Sequence, residues 1–517
     1  MNLLRKCPTA ALVALACSAA TPALAGDFVD TRLVFLAGDD DFAHDAGTTI
    51  PVSPRADIGS RAGYDQFYDA LNGSETGRES RTELVLYKKL DGYFPKLTTE
   101  AAVALELNHS RVMTGDPRSL QDDGSYIRIT QGDLSLGNLE VLLMPFRSDR
   151  LRLGYLWNVT WGGDGTFPGS APVPGARLRL FGDLYEAYVG MKTTRLPFNT
   201  AESDPRKGQL ESYWGFFGGG RFGREDDGFR VDLGLGYFDK GTNPNGSVRG
   251  EDVPSYGGSV RLAYSDGMPF TASNDMRLYT ADPTVPFTEW AASETTQAWR
   301  VAAEGTLLQQ KLEDPDTVGG TTWESGHAAA LQGGAQLGFL RLGGVAIYRD
   351  LGFIHFNGPG TVRRYQAMPS SYEPQAETTL MLSAQRRFAD YHLTPGVEFG
   401  AQSPAAVSNL VPNAGIHAPS VDTGRRTVVY RRADMFDDTG LTYPSILPDQ
   451  SKTEVVLGGR LSLQMELGKG FGVTAAMTVL SDPNRAELIQ DKAGVNTLRK
   501  FTDALTLGAS VMARAEF

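Results

Sequence analysis

Apolar and polar residues alternate along most of the chain. In the last stretch, "LTLGASVMARAEF", every second residue from Leu505 to Phe517 is apolar, and the same rhythm runs through "GFRVDLGLGYF" at 228–238. Alternation with a period of two predicts β-strands. The runs are about 9–12 residues long, whereas strands of soluble proteins peak near five or six and a strand tilted across a bilayer needs about 9–11. The lengths therefore favour membrane-spanning strands.

About eighteen such strands are predicted, with a range of 16–20. They lie near 28–38, 80–91, 97–113, 124–146, 150–162, 175–182, 184–193, 208–222, 228–240, 255–266, 294–310, 322–336, 340–350, 375–387, 390–402, 452–466, 470–481 and 500–517. Short and long connections alternate between them, as in transmembrane barrels with short periplasmic turns and long outer loops. The predicted fold is all-β, a transmembrane antiparallel up-and-down β-barrel.

Two places depart from this rhythm. Residues 267–293 stand where a short turn is expected, and they contain either another hairpin or a periplasmic insert. The run 124–146 is long for one strand and is expected to contain a bulge.

The N-terminus has the three parts of a secretory signal peptide. Arg5 and Lys6 precede an apolar stretch, and Ala23-Leu24-Ala25 forms a small-residue cleavage site. We therefore predict a removed signal peptide at 1–25 and one barrel domain at 26–517. Both cysteines, Cys7 and Cys17, lie in the removed part, which excludes disulfides and cysteine-bound metals from the mature chain.

The last strand is the most specific element of the sequence. It resembles the closing strand of Gram-negative outer-membrane β-barrel proteins at Leu505, Leu507, Ala509, Val511, Ala513 and Phe517, with Ala515 where an aromatic residue is usual. The resemblance implies an outer-membrane location, a porin-like channel of 16–18 strands, and Phe517 as the signal that the assembly machinery recognises. It also implies contact with outer-membrane lipid and lipopolysaccharide. The energised-transporter plug domain has no counterpart before the first strand.

Charges on the strands are expected to point into the lumen, because a charge facing lipid is costly. The predicted pore-lining arginines are Arg128, Arg150, Arg152, Arg177, Arg179, Arg230, Arg261, Arg300 and Arg460. Arg150, Arg152, Arg177 and Arg179 fall on adjacent predicted strands with no acid between them, which favours a basic strip for anionic solutes. The alternative is that arginines and acids pair across strands and stabilise the wall.

Two long loops carry further signals. The loop 39–79 either narrows the pore or packs on the outer surface, and its acidic "GDDDFAHD" is interpreted as a solvated rim rather than a cation site. The loop 403–451 contains a predicted hairpin outside the membrane. In "GGGRFG", at 218–223, the glycines are expected to allow close packing, since no helix follows that could bind phosphate.

The predicted function is passive diffusion of small polar solutes, anions among them, through an arginine-containing lumen. The alternatives are a receptor or adhesin with a blocked lumen and, less favoured, a barrel enzyme of the lipase or protease type. The sequence has 61 acidic against 49 basic residues, which argues against nucleic-acid binding. No catalytic, cofactor or metal-binding motif is found in it.

Overall fold

The computed structural model describes residues 29–39, 42–43, 78–115, 119–167, 172–200, 204–224, 227–244, 246–268, 276–280, 297–356, 365–410, 429–432, 446–448, 452–468, 470–484, 486–490, 496–500 and 505–516. The predicted signal peptide and Phe517 lie outside them. Almost all of the loop 39–79 does too, so the predictions made for these parts stay predictions.

The strands are β1 (Asp30–Asp39), β2 (Arg78–Asp91), β3 (Leu97–Asn108), β4 (Leu120–Asp122), β5 (Tyr126–Leu134), β6 (Gly137–Met144), β7 (Gly175–Phe181), β8 (Tyr185–Pro197), β9 (Leu210–Phe222), β10 (Asp227–Thr242), β11 (Asp252–Asp266), β12 (Gln297–Glu313), β13 (Thr321–Leu337), β14 (Leu340–Arg349), β15 (Glu373–Gln375), β16 (Glu377–Arg386), β17 (Leu393–Ser403), β18 (Ala406–Leu410), β19 (Val429–Arg432), β20 (Ile446–Pro448), β21 (Val456–Gly468), β22 (Phe471–Ser481), β23 (Ala486–Gln490), β24 (Asn496–Lys500) and β25 (Leu505–Glu516). Short helices lie at His109–Thr114 and Leu351–Phe356, and 3-10 turns at Trp157–Val159, Asp164–Thr166, Gly246–Val248 and Ala389–Tyr391.

One large antiparallel sheet closes on itself. Each wall strand pairs with the next along the chain, and β1 pairs with both β2 and β25, so the ring has no edge. β4 and β5 are two parts of one wall position, since both pair with β3. The closed barrel has eighteen strands, as predicted, when that position is counted once. The count leaves out the strands that are not part of the wall, which are β15, β18–β20, β23 and β24.

Two of the predicted strands are wrong, and their errors cancel in the count. The run 124–146 is a hairpin of β5 and β6, with Leu134 paired to Gly137 across a tight turn. The run 150–162 is not a wall strand: it contains a 3-10 turn and one isolated bridge between Leu153 and Trp161. The predicted strand 97–113 also ends early, because a short helix begins at His109.

The two sides of the ring differ in the length of their connections. The turns 92–96, 135–136, 182–184, 223–226, 338–339, 387–392 and 469–470 join strands on the side where β1 begins and β25 ends. We call it the short-turn side, and barrels of this kind have it in the periplasm. The connection 267–296 belongs to this side although it is long, and the described part of it adds no wall strand.

The outer face of the wall is apolar. On β10, Phe229, Leu233 and Leu235 are exposed on the outside, whereas Arg230 and Asp232 point inward and are buried. Aromatic pairs flank this apolar band: Tyr264 stacks on Trp299 near the short-turn side, and Tyr256 packs on Trp323 near the other, both with ring centroids 5.1 Å apart. Eight residues of a strand tilted by about 40° span roughly 20 Å, close to the height of a bilayer-facing band.

Some connections form structure of their own. Val429–Arg432 pairs in parallel with Ala406–Leu410 and Ile446–Pro448. Most of the hairpin predicted in 403–451 lies outside the described residues, so it stays a prediction. β23 and β24 form a separate hairpin between β22 and β25. Among the described helices, none has the length and apolar character needed to cross a bilayer.

Candidate functional site

The lumen is narrowed by a segment that enters from the long-loop side. Residues 145–174, which we call the infolded segment, leave the wall after β6 and return to it at β7. Leu153, Trp161 and Phe167 are almost fully buried against the barrel interior. The rings of Trp161 and Phe167 lie edge-on to Phe238 of β10, with centroids 5.2 and 6.1 Å away. The alternation of this segment therefore serves packing inside the barrel rather than pairing within its wall.

Glycines on β10 make the space for this segment. A Cβ at Gly234 would lie 2.8 Å from Leu153 Cδ2, and one at Gly236 would lie 2.8 Å from Leu153 Cδ1 and 3.2 Å from Trp161 Cη2. At such distances the Leu153 side chain would have to shift and the Trp161 ring would have to move by a few tenths of an ångström. On β9, the glycines of "GGGRFG" are likewise packed closely, with a Cβ at Gly219 meeting Tyr188 Oη at 2.6 Å.

The tip of the infolded segment is fixed by polar contacts to β10–β12. Glu304 accepts hydrogen bonds from the backbone N–H groups of Tyr155 at 2.7 Å and Leu156 at 3.0 Å. The Tyr155 hydroxyl donates to Asp232 at 2.7 Å, and its ring lies under the Arg261 guanidinium, 3.4 Å from the centroid. Burial and the nearby Asp232 carboxylate raise the pKa of Tyr155. The tip is therefore held at a fixed place on the wall.

Arg150 and Arg152 belong to this segment and not to a wall strand, which corrects their predicted place. Arg152 donates to Asp149 and to Thr160, both at 2.9 Å, and stacks on Trp157. Arg150 donates to the Asp123 carboxylate at 2.9 Å. Both guanidinium groups therefore have partners inside the lumen.

A buried ionic cluster lies at the base of the same segment. Lys192 of β8 donates to the carbonyl of Ser148 at 2.6 Å, and its Nζ lies 3.9 Å from Asp164. Burial raises the pKa of Asp164 to about 6, although Lys192 and Arg147 favour its charged form. The cluster links the infolded segment to β8.

The wall carries a belt of alternating charge around half of the barrel. Nine consecutive wall positions, from β3 to β12, contribute one inward residue each with alternating sign: Glu100, Arg128, Glu140, Arg179, Glu186, Arg221, Asp232, Arg261 and Glu304. Neighbours in this charge belt pair across strands, for example Arg179 with Glu140 at 2.7 Å and Arg261 with Asp232 at 2.9 Å. Cross-strand pairing thus neutralises much of the predicted arginine set.

The part of the belt on β6 and β7 has an excess of positive charge. Arg177 and Arg179 donate to one oxygen each of the same carboxylate, Glu140, at 3.1 and 2.7 Å. The expectation that no acid lies between them is wrong, because the hairpin turn after β5 brings Glu140 beside β7. Two guanidinium groups share this carboxylate, and both side chains are 22% exposed.

The other predicted arginines are placed differently. Arg230 and Arg261 lie beneath the infolded segment, with 3% and 1% of their side chains exposed, and both donate to Asp232. Arg128 pairs with Glu100 and is partly exposed. Arg300 packs against Gly334 of β13, and Arg460 lies 4.0 Å from Glu398 of β17. Exposure among the belt arginines is therefore greatest toward β5–β7.

A second segment reaches the lumen from the short-turn side. Residues 276–280, which we call the strap, belong to the long connection between β11 and β12. Tyr279 is 1% exposed and donates its hydroxyl to Asp123 at 2.5 Å. Its ring lies between two guanidinium groups, with Arg32 at 4.3 Å and Arg150 at 4.4 Å from the centroid. The sequence marked this connection as out of pattern but gave no sign that it enters the barrel.

Two histidines have close polar partners. His327 Nδ1 lies 2.7 Å from the Asp350 carboxylate, which also accepts the N–H of Phe353 at the start of the helix Leu351–Phe356. His109 bonds the hydroxyls of Ser80 and Thr82 through its two ring nitrogens. The described part of the chain contains no cluster of three or more potential metal ligands.

Comparison with known proteins gives only structural likeness. No family model matches the sequence, and no curated protein matches it. The structure is similar to OccD3 (OpdP) of Pseudomonas aeruginosa, with a TM-score of 0.43 and 9% identity over 95% of this chain and 90% of that one. It is also similar to the outer membrane protein OprD of Pseudomonas aeruginosa (TM-score 0.41, 9% identity, 95% and 93% covered) and to Pseudomonas aeruginosa OpdK with vanillate (0.41, 11%, 95% and 98%).

The architecture indicates that the wall lies in a membrane. A closed wall of long antiparallel strands, apolar outside and charged inside, is the structure by which a chain crosses a membrane in strands. Its aromatic pairs lie at the two boundaries of the apolar band. The protein therefore has the fold of a transmembrane β-barrel with eighteen wall strands.

Proposed function

We propose that the protein is a passive diffusion channel for small polar solutes, with a preference for anions. The solutes pass along the lumenal wall formed by β5, β6 and β7. The observation that carries this proposal is the Arg177–Glu140–Arg179 arrangement, in which two partly exposed guanidinium groups share one carboxylate. Barrels of 16–18 strands are wide enough to leave an aqueous channel.

Exposure supports this position for the path. The infolded segment covers Arg230 and Arg261 on β10 and β11, whereas Arg177 and Arg179 keep 22% of their side chains exposed. Guanidinium binds carboxylates and phosphates well through paired N–H groups. The Glu140 carboxylate keeps the local excess of positive charge small. Such a site attracts an anion and also releases it, as conduction requires.

Ion selectivity tests this proposal. We expect the wild-type channel to prefer chloride over potassium, and the double variant Arg177→Ala/Arg179→Ala to lose that preference, since it leaves Glu140 without these two cations. One charge about 6 Å from a passing ion is worth ~0.7 kcal/mol in water, a factor of about three. The two arginines together therefore favour chloride about tenfold, and the permeability ratio is expected to fall about tenfold or more without them. Reversal potentials across a salt gradient at low ionic strength, where screening is weak, measure this ratio.

Arg206→Ala is the matched control, because Arg206 lies on an outer connection and pairs with Asp204 at 3.0 Å. It is expected to leave the ratio unchanged. Cation preference in the wild type, or an unchanged ratio in the double variant, would contradict the proposal.

A barrel with a closed lumen that acts through its outer loops is the second candidate. The strap favours it, since Tyr279 contacts the infolded segment and narrows the lumen from the other side. If the wild type and variants of Tyr279 in the strap all failed to conduct ions, that result would favour this function over the channel.

A further inference from the structure

We infer that Asp164 is a pH-sensitive latch for the infolded segment, which docks more tightly when this carboxyl is protonated than when it is charged. The inference rests on the proposed channel function and adds a control of the width of the lumen. Asp164 begins the 3-10 turn Asp164–Thr166, and its side chain is 11% exposed. Thr166 and Phe167, which follow it, are buried. Docking of this turn therefore takes the Asp164 carboxyl out of water.

The polar contacts of the Asp164 carboxyl are long. Arg147 Nε and Ser148 Oγ, on the leg of the segment that leaves β6, each lie 3.4 Å from it. Nζ of Lys192 on β8 lies 3.9 Å away, and its short hydrogen bond, at 2.6 Å, goes to the carbonyl of Ser148. A buried carboxylate with such distant partners keeps much of its desolvation cost. The site therefore favours the protonated form of Asp164.

A second carboxylate adds to this preference. Asp149 accepts the backbone N–H of Asp164 at 2.8 Å and an N–H of the Arg152 guanidinium at 2.9 Å. These bonds favour the charged form of Asp149, so a negative charge stays beside Asp164. Burial and Asp149 raise the pKa of Asp164 to about 6, although Lys192 and Arg147 act in the opposite direction.

The direction of the pH dependence follows from this difference. In an undocked segment the carboxyl is hydrated and titrates near its ordinary pKa of about 3.9, whereas in the docked segment it holds its proton up to about pH 6. Because the docked form binds the proton more tightly, docking strengthens as the pH falls from about 7 to 4 and is weakest above about 7. The undocked fraction is expected to be about tenfold smaller at pH 5 than at pH 7.

Conductance at these two pH values tests the latch. We expect the mean conductance of the wild type to fall about twofold between pH 7 and pH 5, as the segment docks more tightly and narrows the pore. Asp164→Asn is neutral at both pH values and should show much less of this fall. The difference between the two proteins separates Asp164 from the other carboxyls of the lumen.

Asp204→Asn is the matched control for this measurement. Asp204 lies on the outer connection between β8 and β9, and hydrogen bonds from Arg206 lower its pKa to about 2. It therefore does not titrate between pH 5 and pH 7, and its variant should keep the full response of the wild type.

A second readout does not depend on conduction. Thr166 is 4% exposed in the docked turn. In a Thr166→Cys background at pH 7, Asp164→Asn should slow labelling by a charged thiol reagent about tenfold or more, because labelling follows the opened fraction of the segment. Thr317→Cys, in the exposed connection between β12 and β13, should label at the same rate with either residue at position 164.

Lys192→Gln gives a third readout. Glutamine keeps an N–H donor for the Ser148 carbonyl but removes the cation 3.9 Å from Asp164. Loss of an opposite charge at this distance disfavours the carboxylate, so the midpoint of the conductance response should move to higher pH by about one unit or more. A midpoint that stays in place or moves to lower pH would contradict the latch.

The outcomes separate the two proposals. Slower labelling at position 166 in Asp164→Asn, together with its smaller pH response, supports the latch. Equal labelling with either residue at position 164 overturns it, whatever the conductance does. Absence of conductance in every protein removes the channel function, and labelling then decides by itself whether Asp164 controls docking.

Discussion

Replacing Glu304 with alanine is expected to release the tip of the infolded segment from the wall. The Glu304 carboxylate accepts two backbone N–H groups, from Tyr155 and Leu156. Hydrogen bonds to a charged group are worth about 1.5–3 kcal/mol each, and the variant also avoids the cost of burying the carboxylate. We therefore expect a net loss of about 2 kcal/mol, or roughly thirtyfold more of the undocked form.

Trypsin measures this release, because the segment contains Arg147, Arg150 and Arg152. Cleavage between β6 and β7 should be much faster in Glu304→Ala than in the wild type, and channel conductance should rise as the lumen widens. Glu251→Ala is the matched control, since Glu251 forms a partly exposed pair with Lys311 at 2.8 Å. Equal protection of the segment in all three proteins would show that Glu304 does not anchor it.

Filling the glycine space on β10 is expected to have the other large effect. In Gly236→Val, the new Cβ would lie 2.8 Å from Leu153 Cδ1 and 3.0 Å from Phe238 Cε2. Crowding of this kind costs about 1–3 kcal/mol. It destabilises the docked position of the infolded segment and leaves the hydrogen bonds between the wall strands intact. The barrel should therefore still form while the segment undocks.

Gly305→Val is the matched control. Gly305 lies on the outer face of β12, where the nearest atom to a Cβ would be the Ala328 carbonyl oxygen at 4.0 Å. Heat-dependent migration in detergent gels reports the closed barrel, and trypsin again reports the segment. A Gly236→Val barrel that folds with a fully protected segment would refute the role given to this glycine.

The wall was largely predictable, because apolar and polar residues have to alternate along a strand of a membrane barrel. The run from Phe229 to Phe238 shows its two faces in the sequence, and the structure places them outside and inside as expected. The error at 150–162 has a physical reason: a segment packed inside a lumen also needs apolar side chains, and the buried residues Leu151, Leu153 and Trp161 fall at odd positions, as they would on one face of a wall strand. Gly137, which follows the turn 135–136 and has a φ of 94°, was the available signal for the hairpin in 124–146.

The interior was less predictable. The alternation along a strand indicates which face of the sheet a charged side chain lies on, but it does not indicate which residue that side chain pairs with. Arg230 and Arg261 were predicted to line the pore, and in the structure both are covered by the infolded segment. The Glu140 carboxylate lowers the net positive charge beside Arg177 and Arg179. Its position next to them follows only from the register of β6 against β7. Tyr279 lies far in sequence from Arg32 and Asp123, so nothing in its local pattern indicates their contact.

The central claim is that this barrel conducts through a lumen narrowed by the infolded segment. Single-channel recording of the purified, folded protein in a planar bilayer tests it most directly. The predicted result is small ohmic steps from the wild type, with larger steps from Glu304→Ala. The contradicting result is silence from both proteins after gel migration has confirmed closed barrels and their insertion has been verified.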